Sequence, residues 1–248
     1  MTTTDTLLDL RPAAIRPAPA PRHDLYRNIH KALRAMMFDT LQRVGTLDVT
    51  DDDDMARTLD QAERLLAHLT SHLEHENEFV HPALEACSPG ASVVTADAHA
   101  EHRGSIAALA AEISALRSAA AAERSPRSAH LYRHLALFVA DNLQHMHIEE
   151  TAHNTLLWAA CTDAELQAVT DRIVAHLQPQ IMAEALDWMA ASLNPAELAE
   201  MFGGIQTQAP PEAFRSLLEI ARSRLDVKRW TGLARALCLP SAPGLTTV

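Results

Sequence analysis

From Arg22 onward, apolar residues recur at intervals of three and four, the period of a helix with one buried face. The first run, 22–44, puts His23, Tyr26, His30, Leu33, Met37, Leu41 and Val44 on one stripe and stops at Gly45. A second, 54–87, follows Asp51, Asp52, Asp53 and Asp54, whose carboxylates suit the positive end of a helix, and ends at Ser88-Pro89-Gly90. A third, 95–123, carries His99, His102, Ile106, Leu109, Ile113 and Leu116, and a fourth covers 126–160. Few β-branched clusters and abundant Ala and Leu make the chain all-α. Four long helices with short breaks predict an antiparallel bundle over 22–160.

Beyond 160 the periodic segments shorten. Thr162 with Glu165 reads as a capping box, Pro179 restarts a helix, and Asn194-Pro195-Ala196-Glu197 reads as another N-terminal cap. Gly203-Gly204 and Pro210-Pro211 are expected to punctuate two further helices, near 211–224 and 226–239. Residues 161–240 are therefore expected to form a helical C-terminal region of short helices, with 241–248 as tail. The start, 1–21, is Thr-rich and then Pro/Ala-rich, with prolines at 12, 17, 19 and 21, and is expected to be a disordered leader.

Net charge of -11 with His neutral opposes attraction to nucleic acid or an anionic membrane. No apolar run approaches the roughly 18 residues of a membrane helix, and the N-terminus lacks the pattern of a secretory signal. The expected location is cytoplasmic. Cys87, Cys161 and Cys238 are far apart in sequence and in no CxxC arrangement, so they read as inert thiols rather than as a disulfide framework or a thiolate metal site. The anomaly is histidine, with 14 residues against 5 Phe, 3 Trp and 2 Tyr.

Those histidines fall on the apolar stripes. The second helix reads Leu65, Leu69, His72, Glu76, Phe79, Ala83, and the fourth reads Leu131, Leu135, Phe138, Asn142, His145, Glu149, Ala152, Leu156. Each places a His and a Glu, four residues apart, in the interior of the bundle. Burying an ionised carboxylate is costly unless it is paired or binds metal, so two of them make a metal centre the economical explanation. His30 precedes His72 by 42 residues and His102 precedes His145 by 43, so the two hairpins match. Four imidazoles and two carboxylates, His30, His72, His102, His145, Glu76 and Glu149, suit two metal ions, each with two imidazoles and both bridged by the glutamates. Nitrogen and oxygen donors without thiolate favour iron, with Mn or Zn as substitutes. His23 and His99 share the same stripes and are held in reserve; His99 lies 46 residues before His145.

At these residues the chain resembles the HHE cation-binding branch of the hemerythrin superfamily. The resemblance lies in Tyr26-Arg27-Asn28-Ile29-His30-Lys31-Ala32-Leu33-Arg34, in His72-Leu73-Glu74-His75-Glu76 with Phe79, Pro82, Ala83 and Leu84, in Glu101-His102, and in His145-Met146-His147-Ile148-Glu149-Glu150. It covers about 22–160 and implies an up-down-up-down four-helix bundle around a non-haem, carboxylate-bridged pair of Fe ions. The short helices after 161 resemble an extension found in longer bacterial members. Oxygen-carrying members have His four residues after the third-helix ligand and Asp five after the fourth-helix ligand, where this chain has Ile106 and Glu150. The resemblance therefore implies binding or sensing of a small oxidant (dioxygen, nitric oxide or peroxide) or of iron, in oxidative or nitrosative stress or iron handling, rather than oxygen storage.

Two other readings stand beside it. One is a di-iron enzyme, a ferroxidase or a peroxide consumer, although ferritin-like enzymes take Glu-x-x-His from two helices where this chain has His-x-x-x-Glu. The other is a metal-free helical interaction module. A zinc hydrolase would need His at 79 to complete HExxH, and the chain has Phe79. The oligomeric state is left open.

Overall fold

The computed structural model of the chain describes residues 22–239, so the leader expected over 1–21 and the tail over 241–248 lie outside the described residues. Helix α1 is Arg27–Gly45. It begins five residues later than the periodicity predicts because the Asp24 carboxylate accepts the backbone N–H groups of Tyr26 and Arg27, holding the preceding turn out of the helix. Helix α2 covers 52–87 and is capped by Asp51, whose carboxylate accepts from the amides of Asp53 and Asp54. Gly90, at a φ of 87°, makes the turn into α3, Val93–Arg117. Helix α4 covers 121–160 and starts before Pro126, not at it. The carbonyl that the proline leaves without a helical partner belongs to Ala122, which is exposed to water.

Both α2 and α4 contain one π-helical turn, and each begins at a buried glutamate, at Glu76–Val80 and at Glu149–His153. A π turn holds one extra residue, so every position after it rotates to a new face. On α4 the interior continues through His153 and Leu157, while Ala152, expected inside, is exposed. On α2 it continues through Val80, His81 and Leu84 rather than through Ala83. Strict three-four counting holds up to each glutamate and fails one turn later.

α1 packs on α2 and α4, and α3 packs on the same two helices. Leu33, Met37, Leu59, Leu65, Leu69, Leu109, Ile113, Leu116, Leu131, Leu135 and Phe138 fill the space between them. At the other end a smaller cluster of Tyr26, Val80, Leu84, Leu157 and Leu166 closes the interior. The His/Glu level lies between the two clusters.

Five short helices follow: α5 Asp163–His176, α6 Pro179–Ser192, α7 Pro195–Gln208, α8 Pro211–Arg224 and α9 Val227–Ala236. The capping boxes at Thr162/Glu165 and Asn194/Glu197 form as expected. Gly203 and Gly204 do not break the chain but lie inside α7, which its cap and Phe202, wholly buried, hold in place. Leu186, Leu198, Phe202, Phe214, Leu218 and Leu233 give these helices a core of their own. α6 lies along α1 and delivers Trp188 to the main core, while Lys31 binds Glu197 and His68 binds Glu184 at 2.9 Å. Among the described residues no helix is long and apolar enough to cross a membrane.

Candidate metal centre

Near the N-terminal ends of α1 and α3 and past the middle of α2 and α4, side chains from all four helices converge. Glu76 and Glu149 meet at the centre, with His30 and His72 on one side and His99 and His145 on the other. One ligand atom from each of His30, His72, Glu76 and Glu149 lies within 4.8 Å of the others, and the same holds for Glu76, His99, His145 and Glu149. Both carboxylates belong to both groups. His30 Nε2 is 3.7 Å from Glu76 Oε1 and 3.5 Å from Glu149 Oε2. His72 Nε2 is 3.2 Å from Glu76 Oε1, His99 Nε2 is 3.4 Å from Glu76 Oε2, and His145 Nε2 is 3.0 Å from Glu149 Oε1. The i,i+4 spacing of each His-x-x-x-Glu puts both groups on one helix face.

Six buried atoms on four of these side chains have no hydrogen-bond partner, namely His30 Nε2, His72 Nε2 and both carboxylate oxygens of Glu76 and of Glu149, while His99 Nε2 and His145 Nε2 lie 2.9 Å apart. Native interiors hardly ever leave such groups unpaired, and six together at one point are what a cation would satisfy. The outer partners support the same conclusion. His30 Nδ1 faces Glu150 Oε1 at 3.0 Å and His99 Nδ1 faces Asn77 Oδ1 at 2.9 Å, both acceptors, so each Nδ1 donates and each neutral ring turns an Nε2 lone pair inward. Arg34 in turn holds Glu150. In the absence of a cation, protons take its place. Burial lowers the affinity of His30 and His99 for a proton, but hydrogen bonds and charge from Glu150, Glu149 and Glu76 outweigh it and raise both to about 9. His72, with burial dominant, falls to about 4. Against the cost of its own burial, the imidazoles of His72, His30 and His99 hold the Glu76 carboxyl well below the usual range.

The hemerythrin HHE cation-binding domain is the family whose model matches this chain, over residues 23–157. The chain belongs to the hemerythrin HHE cation-binding family. Neither the curated proteins nor the solved structures give a match. The matched HHE segment contains every residue of the cluster and stops before the short helices α5–α9.

Of the six ligands expected from spacing, the structure brings together His30, His72, Glu76, His145 and Glu149; the sixth place is taken by His99. His102 is buried one turn further along α3, with Nε2 on Asp141 Oδ2 at 2.8 Å and its ring edge-on to His145. The physical reason is the shorter second connection. His72 lies 20 residues after Asp52 and His30 15 before Gly45, an imbalance of five; His145 lies 24 after Ala121, matched by His99 at 18 before Arg117 and not by His102 at 15. Four residues of mismatch are about 6 Å of helix rise. Matching His-to-His offsets between hairpins ignores that the two connections differ in length. His23, the other reserve, points away to Thr170 at 2.8 Å.

Sequence reasoning passed over a polar pocket on one side of the centre. His81 stacks on His99 with ring centres 4.9 Å apart, and Thr95 Oγ1 lies 3.4 Å from both His81 Nε2 and His153 Nε2. His153 Nδ1 meets the Tyr26 hydroxyl at 3.0 Å. His81 and His153 are on the interior face because of the two π turns, a shift that no simple periodicity reveals, whereas Tyr26 lies on the stripe expected for the first helix. On the opposite side lies the main core, with Leu69, Leu135 and Phe138. The family's metal position is thus polar toward the closed end and apolar toward the main core.

Proposed function

We propose that this chain is a non-haem di-iron protein of the up-down-up-down four-helix type, in which His30, His72, Glu76 and Glu149 would hold one ion and His99, His145 and the same two glutamates the other. The observation that carries this reading is the set of six unpartnered buried atoms on His30, His72, Glu76 and Glu149, two of which, the glutamates, also belong to the group with His99 and His145. Iron, if held by these residues, would supply reversible binding or reduction of a small oxidant. The donor set of imidazole and carboxylate suits iron over softer metals, with Mn or Zn as substitutes.

The protein supplies the rest. Glu150 and Asn77 orient the His30 and His99 rings. Leu69, Leu135 and Phe138 in the main core, and Phe79 beyond Glu76, all buried, keep bulk water out. The partner on this reading is dioxygen, nitric oxide or peroxide, or iron itself, in a cytoplasmic stress or iron-handling role. Protein from iron-replete cells should contain two irons per chain and show a visible band that responds to dioxygen, nitric oxide or azide. Metal-free protein whose stability does not change in His72→Ala or His145→Ala would refute it.

A second reading is favoured by Tyr26, His153, Thr95 and His81. Reducing peroxide requires protons close to the site, and these four residues form a chain of hydroxyl and imidazole groups from Tyr26, against His30, to His81, against His99. Sustained peroxide consumption beyond stoichiometric amounts, lost in Tyr26→Phe with iron content intact, would promote the enzyme over the sensor.

A further inference from the structure

Cys87 and Cys161, separated by 74 residues in the chain and expected to be independent, lie with their sulfurs 3.5 Å apart. Cys87 is the last residue of α2 and Cys161 follows the last residue of α4, and the ends of these helices pack on each other. Cys87 comes 11 residues after Glu76, and Cys161 comes 12 after Glu149, so the pair occupies matching positions beyond the two π turns. Both thiols are half-buried at the edge of the closing cluster of Tyr26, Leu84 and Leu157, and Arg22 fixes the backbone beside them through the carbonyls of Trp158 and Cys161.

We propose that Cys87 and Cys161 are a reversible redox site that forms an intramolecular disulfide when a peroxide oxidises it. A disulfide needs a sulfur separation of about 2.05 Å, so the sulfurs must approach by about 1.5 Å. Rotation of two side chains at helix ends can supply this without moving the ligand residues. Cys161 is the sulfur that keeps its proton: burial and the hydrogen bond with Cys87 push its thiol up to about 11. In the proposed order Cys87 attacks and Cys161, the raised thiol, resolves, and dimedone trapping in the single variants tests this order. The Cys87 thiolate attacks one oxygen of hydrogen peroxide, the O–O bond breaks, and the departing hydroxide takes up a proton to leave as water. The resulting sulfenic acid is attacked by the Cys161 sulfur; the S–S bond forms, the S–O bond breaks, and the hydroxide leaves as a second water with the Cys161 proton. Two thiols are oxidised by two electrons and one peroxide is reduced to two waters. The new bond ties together the ends of the two helices that carry Glu76 and Glu149, whichever metal they hold.

The test uses the full-length protein as purified, with Cys238→Ser to remove the exposed third thiol. After peroxide or diamide treatment, denatured protein should lose both reactive thiols together with the mass of two hydrogens. A non-reducing digest should yield one peptide joining Cys87 to Cys161, and dithiothreitol should restore both thiols. In Cys161→Ser, dimedone should trap a sulfenic acid at Cys87, while Cys87→Ser should leave Cys161 unmodified. Survival of both thiols under both oxidants overturns the proposal, and so does their loss as sulfinic acid or as intermolecular dimers with no joined peptide. The thiol count on unaltered Cys87 and Cys161 requires no variant in the cluster to fold.

Discussion

Raising the pH of metal-free protein should destabilise it in a window set by the metal centre. His30 and His99 are held at about 9 in the folded chain, against 6.5 as ordinary histidines. A raised folded value means that the stabilisation is fully present below about pH 6.5 and is lost as the pH climbs through about 9. Holding a proton at about 9 rather than at 6.5 corresponds to roughly 3 kcal/mol for each ring. The two rings face the same pair of carboxylates, so the joint loss falls short of twice that figure, at roughly 3 to 6 kcal/mol. Metal removes the dependence because the cation takes over the carboxylates and the protons leave. Loading near pH 7 should release about two protons per chain. Urea denaturation of metal-free and metal-loaded protein at several values between about pH 6.5 and about pH 9 measures the first effect, and titration of weakly buffered metal-free protein with ferrous iron measures the second. Metal-free stability that stays flat or rises across the window, with no proton released on loading, would refute the claim that protons on His30 and His99 stand in for the cation.

Three further outcomes are expected. His99→Ala should halve the metal content, whereas His102→Ala should leave it at the wild-type value, since His99 and not His102 lies within 4.8 Å of the ligand atoms of Glu76, His145 and Glu149; metal analysis of the two variants decides between them. Glu150→Gln removes the charged acceptor that orients His30 and should weaken metal binding about 10- to 100-fold in a competition assay with a chelator, leaving the fold intact. Leu65→Ala, at a wholly buried position of the main core, should cost about 2–5 kcal/mol in chemical denaturation without altering metal stoichiometry.

Five of the six centre residues could be read from the chain because helix periodicity is a local property: four residues between His72 and Glu76, or between His145 and Glu149, place both on one face whatever surrounds them. The cost of burying a carboxylate then pointed to a cation. His99 could not be distinguished from His102 in this way, since both lie on the inner face of α3. Only the relative heights of the helices choose between them, and those depend on connection lengths and on where α3 and α4 begin and end. The polar side of the site was hidden for a different reason. His81 and His153 face the interior because of two π turns, and one extra residue in a turn leaves no compositional mark.

The same division runs through the rest of the molecule. The sequence by itself determined the helices, their caps at Asp51, Thr162 and Asn194, the apolar faces and the chemistry of the donors, since each depends on residues within a few turns of one another. Tertiary structure alone decided which histidine reaches the metal level, which side of the centre is wet with hydroxyl and imidazole, and that Cys87 and Cys161 touch. Those facts depend on how far one helix slides along another, a rigid-body quantity set by the summed packing of many side chains and carried by no single motif.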